Sequence, residues 1–120
     1  MGYLLAIIRI TLLVPTYIFF GLIGFGLFFI YFWSKETYYR KVIFFSRLWA
    51  RCSCLLLNIK IKVTHKSMVE QGSLIIANHV GVPDIFVMGS CFPSFFVSKA
   101  DVRRWPLVGW LSQLGATIFV

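Results

Sequence analysis

Negative charge is what this chain has least of. Only Glu36, Glu70, Asp84 and Asp101 are acidic among 120 residues, against twelve Lys and Arg, for a formal net charge of +8. Any acid–base role for a carboxylate therefore falls on very few candidates. Cysteine is equally sparse. Cys52, Cys54 and Cys91 are an odd number, which argues against a disulfide framework; buried, reduced thiols on a reducing, cytoplasmic side are expected. His65 has no cysteine at ligand spacing, so no metal site is expected. Charged residues make up 13% while hydrophobic ones reach 59%, thirteen of them Phe, which points to a membrane class. One domain at most fits beside a membrane segment. The cations cluster between Lys35 and Lys66, directly after an apolar run, and again at Arg103 and Arg104. That placement suits anionic lipid headgroups, and no nucleic-acid partner is expected.

From Ile10 to Ser34 no side chain is charged, and Arg9 and Lys35 bracket the run. As a helix these 25 residues cover roughly 37 Å, enough for a hydrocarbon core of about 30 Å. A single leading Arg and the lack of an Ala-x-Ala site argue against a cleaved signal peptide. Pro15, Gly21, Gly24 and Gly26 fit either helix packing or a break in a helix that dips into one leaflet. Five cations between Lys35 and Arg51 follow the run, so the rest of the chain is expected on the cytoplasmic face of the membrane. Thr37 to Asn58 predicts a second helix, with Arg40, Arg47, Arg51 and Asn58 on a narrow stripe and apolar residues around most of the remainder. Such a helix suits the membrane interface, with its arginines at headgroup level.

Ile59 to His65 alternates between apolar and polar residues and predicts a half-exposed strand, with Lys60 and Lys62 blunting an edge. Lys66 to Gly72 reads as a turn. Leu74 to Ala77 is continuously apolar and predicts a short buried strand that delivers Asn78 and His79 to its C-terminal end. Asp84 follows His79 by five residues. On a regular helix the two side chains would point apart, so the backbone must bend between them. Gly81 permits the bend, and Pro83 favours a helix start. His79 is thus expected in a loop and Asp84 in the first helical turn, within reach of an imidazole nitrogen. The Asp would fix the tautomer and stabilise the imidazolium while the other nitrogen takes a proton. No Ser or Cys lies between them as a nucleophile. The proton donor would then be a substrate hydroxyl, which suggests acyl transfer to an alcohol without a covalent enzyme intermediate. The spacing alone reads first as a capped helix beside a polar loop histidine.

Downstream, Ile85 to Ser90 predicts a short helix, Cys91 to Ser94 a loop, and Phe95 to Ser98 a strand parallel to the first. Lys99 would lie at the C-terminal end of that strand, where a cation can meet a phosphate. Asp101 is a candidate cap for a helical turn through Trp105. Leu107 to Leu114 predicts a helix that Gly115 stops, and Ala116 to Val120 opens another strand. Trp105, Leu107, Val108, Trp110 and Leu111 form an apolar patch suited first to core packing, and otherwise to holding the domain on a membrane or lining an acyl path.

The run from Leu74 to Asp84, with Asn78-His79 and Asp84 after a hydrophobic strand, resembles the first block of the glycerolipid acyltransferases, in particular the 1-acyl-glycerol-3-phosphate (lysophosphatidate) acyltransferases. The resemblance continues through Phe95 to Asp101, Pro106 to Trp110 and Leu114 to Val120, covering about Ser73 to Val120. It implies an α/β fold: an N-terminal membrane helix or helical hairpin over 1–58, then the first half of an acyltransferase domain over 59–120. It implies fatty acyl transfer from an acyl thioester, acyl-CoA or acyl-carrier protein, to lysophosphatidic acid, giving phosphatidic acid. His79 would be the general base, Asp84 its orienting acid and Lys99 a phosphate contact, with Asn78 and Gly115 supporting the motif. No metal or bound cofactor is implied. In the family a run like Gly115 to Val120 leads into an arginine and later a Pro-Glu-Gly-Thr block. This chain carries neither, so it reads as an N-terminal half. An inactive membrane protein that keeps the anchor and half the site is the competing expectation, and a thioester hydrolase that activates water is a third.

Overall fold

The charge-free run does become a long helix. In a computed structural model, which describes residues 2–64, 69–70, 72–78 and 80–120, α1 covers Gly2–Ile30, about 43 Å at 1.5 Å per residue. It begins before Arg9 and ends short of Ser34, because Tyr31 to Trp33 turn the chain into α2, Lys35–Leu56. The helix continues through Pro15, which cannot donate to the carbonyl one turn back. Of its three inner glycines, two serve packing. Gly21 lies against Leu111 and Gly24 against Leu114, while Gly26 faces open space. Among the described residues this is the one helix long and apolar enough to cross a membrane.

The other elements are α3 (Val82–Cys91), β1 (Val97–Ser98), a 3-10 helix (Ala100–Arg104), α4 (Val108–Leu114) and β2 (Ile118–Phe119). Helix α2 is the centre, packed on α1 along one side and on α3 along another. Val42, Ala50, Ser53 and Cys54 of α2 are buried, as are Phe86, Gly89 and Ser90 of α3. The Trp49 ring stands edge-on between Tyr17 of α1 at 4.9 Å and Phe86 of α3 at 5.3 Å, so three helices share one aromatic stack. Helix α2 closes on Asn58 in the left-handed region (φ 57°). The Ile59 N–H reaches the Cys54 carbonyl at 2.8 Å, and the Asn58 N–H reaches Leu55 at 3.0 Å, the paired bonds of a Schellman stop.

The α/β expectation holds in part. The described chain is mostly helical, with one parallel pair of two-residue strands in which Val97 faces Ile118 and Ser98 faces Phe119. The parallel pair exists, but β1 pairs with β2 rather than with residues 74–77. Residues 74–77 and 59–64 form no strand; Leu74 and Ile76 are exposed, and so are both alternating sides of 60–64. A strand needs a neighbouring ladder for its N–H and C=O groups, and these segments have none among the described residues. His65 lies outside the described residues.

Three further expectations shift. One member of the arginine stripe of α2 leaves it: Arg47 turns inward to α3, while Arg51 stays exposed and Arg40, also exposed, pairs with Glu36 at 2.7 Å. Asp101 sits in the first turn of the 3-10 helix, but the cap position belongs to Lys99. Gly115 does end α4, as its C-cap, with an ordinary negative φ of −75°; the left-handed residue is the next one, Ala116 (φ 56°), whose N–H bonds Gln113 while that of Thr117 bonds Ser112. All three cysteines are free, yet only Cys54 is buried; Cys52 and Cys91 are half-buried.

Candidate functional site

Helix α3 begins where the sequence places it. Gly81 is extended (φ −173°, ψ 177°) as the cap residue, Pro83 lies in the first turn, and Asp84 is the third helical residue. From there the Asp84 carboxylate reaches back over the loop. Its Oδ2 accepts the Val80 N–H at 2.7 Å and the Gly81 N–H at 3.0 Å. The Asp84 N–H in turn donates to the Gly81 carbonyl at 3.1 Å. A carboxylate here satisfies helix-end donors and meets the positive end of the helix dipole. The half-buried Asp84 thus ties Val80 and Gly81 to the start of α3. Asn78 is exposed in that loop, and His79 lies outside the described residues.

The far end of α3 is held by residues that sequence reasoning assigned elsewhere. Arg47 of α2 donates from Nε to the Ser90 carbonyl at 3.2 Å and from Nη2 to the Cys91 carbonyl at 3.4 Å. A guanidinium there satisfies last-turn carbonyls and opposes the negative end of the dipole. Between the two ends, Gly89 lets α3 approach α2. A β-carbon on it would lie 3.1 Å from the Ala50 side chain and 3.3 Å from the Phe96 ring. Phe96 leads directly into β1, so the same contact ties the Lys99 strand to α3. The only sequence signal for Arg47 was its place among the arginines of α2, and that pattern does not tell an inward cation from an outward one.

Lys99 is exposed at the C-terminal end of β1, where its carbonyl accepts the Val102 N–H at 3.1 Å. Gly115 lies at the end of α4, next to β2, as a backbone element. A separate apolar groove of about 690 Å³ opens between α1, α2, α4 and β2, walled by Phe25, Phe28, Tyr38, Phe95, Trp110 and Leu114 among others. The Tyr38 hydroxyl donates to the Leu114 carbonyl at 2.9 Å across it. Burial, and then the neighbouring Tyr39, hold the Tyr38 hydroxyl above the ordinary tyrosine range. Burial likewise raises the Cys54 thiol, against a lowering hydrogen bond from Ser90. No described residue of the Asn78–Asp84 segment lines the groove. Among the described residues no group of three His, Cys, Asp or Glu could hold a metal.

Residues 59–120 match the family model described as Acyltransferase. A lyso-ornithine lipid O-acyltransferase of Rhizobium meliloti (strain 1021) is 40% identical over 74 residues, covering 62% of this chain and 25% of the relative. One of the same name from Pseudomonas aeruginosa is 39% identical over 75 residues, 62% of this chain and 29% of the relative. A 1-acyl-sn-glycerol-3-phosphate acyltransferase of Neisseria gonorrhoeae is 41% identical over 49 residues, 41% of this chain and 19% of the relative. The chain thus spans about a quarter of the length of these curated relatives. No solved structure matches significantly.

Proposed function

This chain belongs to the acyltransferase family, and from that premise we propose that it works in a membrane-bound enzyme that acylates a lysophospholipid. The acyl donor is a thioester, acyl-CoA or acyl-carrier protein, and the acceptor is the free hydroxyl of lysophosphatidic acid. His79 acts as general base on that hydroxyl, and Asp84 orients it. The alkoxide attacks the thioester carbonyl, the tetrahedral intermediate collapses, and the thiolate leaves with the proton. Lys99 contacts the acceptor's phosphate. The observation that carries the reading is the seating of Asp84. Its carboxylate is fixed at the head of α3 by two loop amides, one and two residues after His79 in the chain. Asn78 and Gly115 support the local backbone, and no bound cofactor is required. The apolar groove has the size of a ligand pocket and suits a lipid tail. Helix α1 anchors the protein, with the site on the cytoplasmic face.

Lyso-ornithine lipid is the second acceptor to test, because two of the relatives above carry that name. Membranes containing the full chain, supplied with labelled acyl-CoA or acyl-carrier protein, should convert lysophosphatidic acid to phosphatidic acid. Preference for lyso-ornithine lipid would correct the acceptor and leave the chemistry. Thioester loss without any acylated product would favour hydrolysis. No turnover by well-inserted chain would favour a non-catalytic membrane protein.

A further inference from the structure

The corner between the 3-10 helix and α4 holds apolar side chains out of the protein. Trp105 is 58% exposed, Leu107 45%, Val108 38% and Trp110 44%. This is not the packed core patch that composition suggests. The corner is rigidly built for it. The Val108 N–H donates to the Pro106 carbonyl at 2.7 Å around Leu107, whose φ of 63° and ψ of −57° form the rare, strained γ-turn. Gly109 then packs directly on the backbone carbonyls of Arg103 and Val102, which leave no room for a β-carbon. A bulky residue held at positive φ at an exposed tip costs stability.

Two observations say what covers the corner. It is continuous with α1: the Trp110 ring is 6.1 Å from Phe25, and Leu111 and Leu114 rest on Gly21 and Gly24. The neighbouring Phe25, Phe28 and Phe29 of α1 are themselves exposed. A soluble partner on the corner would have to share that apolar surface with lipid. The corner is also rimmed on one side by exposed Arg103 and Arg104 in a chain of net charge +8. Tryptophans beside arginines at an apolar boundary match the headgroup region of an anionic membrane.

We infer that the Trp105–Trp110 corner is a second membrane contact, inserted into the leaflet that α1 occupies, with Arg103 and Arg104 among anionic headgroups. The inference rests on α1 being the membrane anchor, and the test separates the two. The full chain is reconstituted in vesicles of equimolar phosphatidylglycerol and phosphatidylcholine, the latter carrying bromine on its acyl chains as a contact quencher. Bromolipid quenching is compared among wild type, Trp33→Phe, Trp105→Phe and Trp110→Phe; Trp33 reports on the end of α1. The quenched emission should fall in Trp105→Phe and in Trp110→Phe by at least as much as in Trp33→Phe. Replacing Arg103 and Arg104 together by Gln should weaken quenching of Trp105 at least twofold in these vesicles and leave it unchanged in phosphatidylcholine alone. Quenched Trp33 with unquenched Trp105 and Trp110 overturns the inference and leaves the anchor standing. A shift of Trp105 and Trp110 emission on adding acyl-carrier protein, without bromolipid quenching, also overturns it and assigns the corner to a protein partner. Loss of quenching at all three positions overturns the anchor reading as well.

Discussion

Adding one methyl group at three different glycines should give three different results, because the structure surrounds them differently. Gly26 of α1 faces open space, so Gly26→Ala gains only helix propensity, up to about 1 kcal/mol. Gly21 meets Leu111 Cδ2, the far end of a flexible side chain, with the Trp110 ring next at 3.5 Å. Leu111 can rotate away at about 1 kcal/mol, which cancels the propensity gain and leaves Gly21→Ala near neutral. Gly109 meets backbone instead. Besides the Arg103 carbonyl oxygen, its added carbon would lie 2.6 Å from the Arg103 carbonyl carbon and 2.8 Å from the Val102 oxygen. Neither can move without shifting the 3-10 helix off α4, so Gly109→Ala should lose about 1–3 kcal/mol. The spread between Gly26→Ala and Gly109→Ala is then about 1–4 kcal/mol, a melting-point gap on the order of 10 °C. Thermal unfolding followed by circular dichroism at fixed detergent concentration measures it. A Gly109→Ala protein that melts within about 2 °C of Gly26→Ala would refute the packing described for the corner.

Arg47→Met should destabilise the fold by about 1–3 kcal/mol, since it strands the Ser90 and Cys91 carbonyls; denaturant unfolding reads this, and Arg47→Lys should recover part of it. Ala116→Gly should stabilise the fold by about 0.5–1 kcal/mol and raise the melting temperature slightly, because a left-handed position favours glycine. Tyr38 holds its proton more tightly folded than unfolded, so its contribution is intact below the ordinary value of 10.0 and is lost as pH climbs through the raised folded value. Stability should therefore fall in alkali, and Tyr38→Phe should flatten that fall, leaving the part due to Cys54, which is raised in the same sense from 9.0.

The site's helix was legible in the sequence because its determinants are local. Gly81, Pro83 and Asp84 fix a helix start within four residues, and the structure has Asp84 in that first turn. Helix α1 was legible for a similar reason: a long run without charge has few alternatives to a helix. Residues 59–64 and 74–77 are not strands among the described residues, because alternation and apolar runs describe a surface, whereas a strand exists only with a partner ladder. The end of α4 at Gly115 was legible, but not which residue there turns left-handed. Glycine is the usual left-handed residue, but here Gly115 is the cap with a negative φ and Ala116 takes the strained position after it. Arg47 was assigned to headgroups because helical spacing gives its angle on α2 but not the neighbour at that angle, which is the end of α3.

The central claim is that His79 and Asp84 act as one unit on the acceptor hydroxyl. Its most direct test is acyl transfer to lysophosphatidic acid by His79→Ala, Asp84→Ala and the double variant, each in membranes at matched expression. Residues that work as a unit are strongly non-additive. Each single variant should lose transfer by a factor on the order of 10³, and the double variant should be no worse than the more damaged single one. Transfer that survives His79→Ala, or losses that multiply in the double variant, would contradict the account.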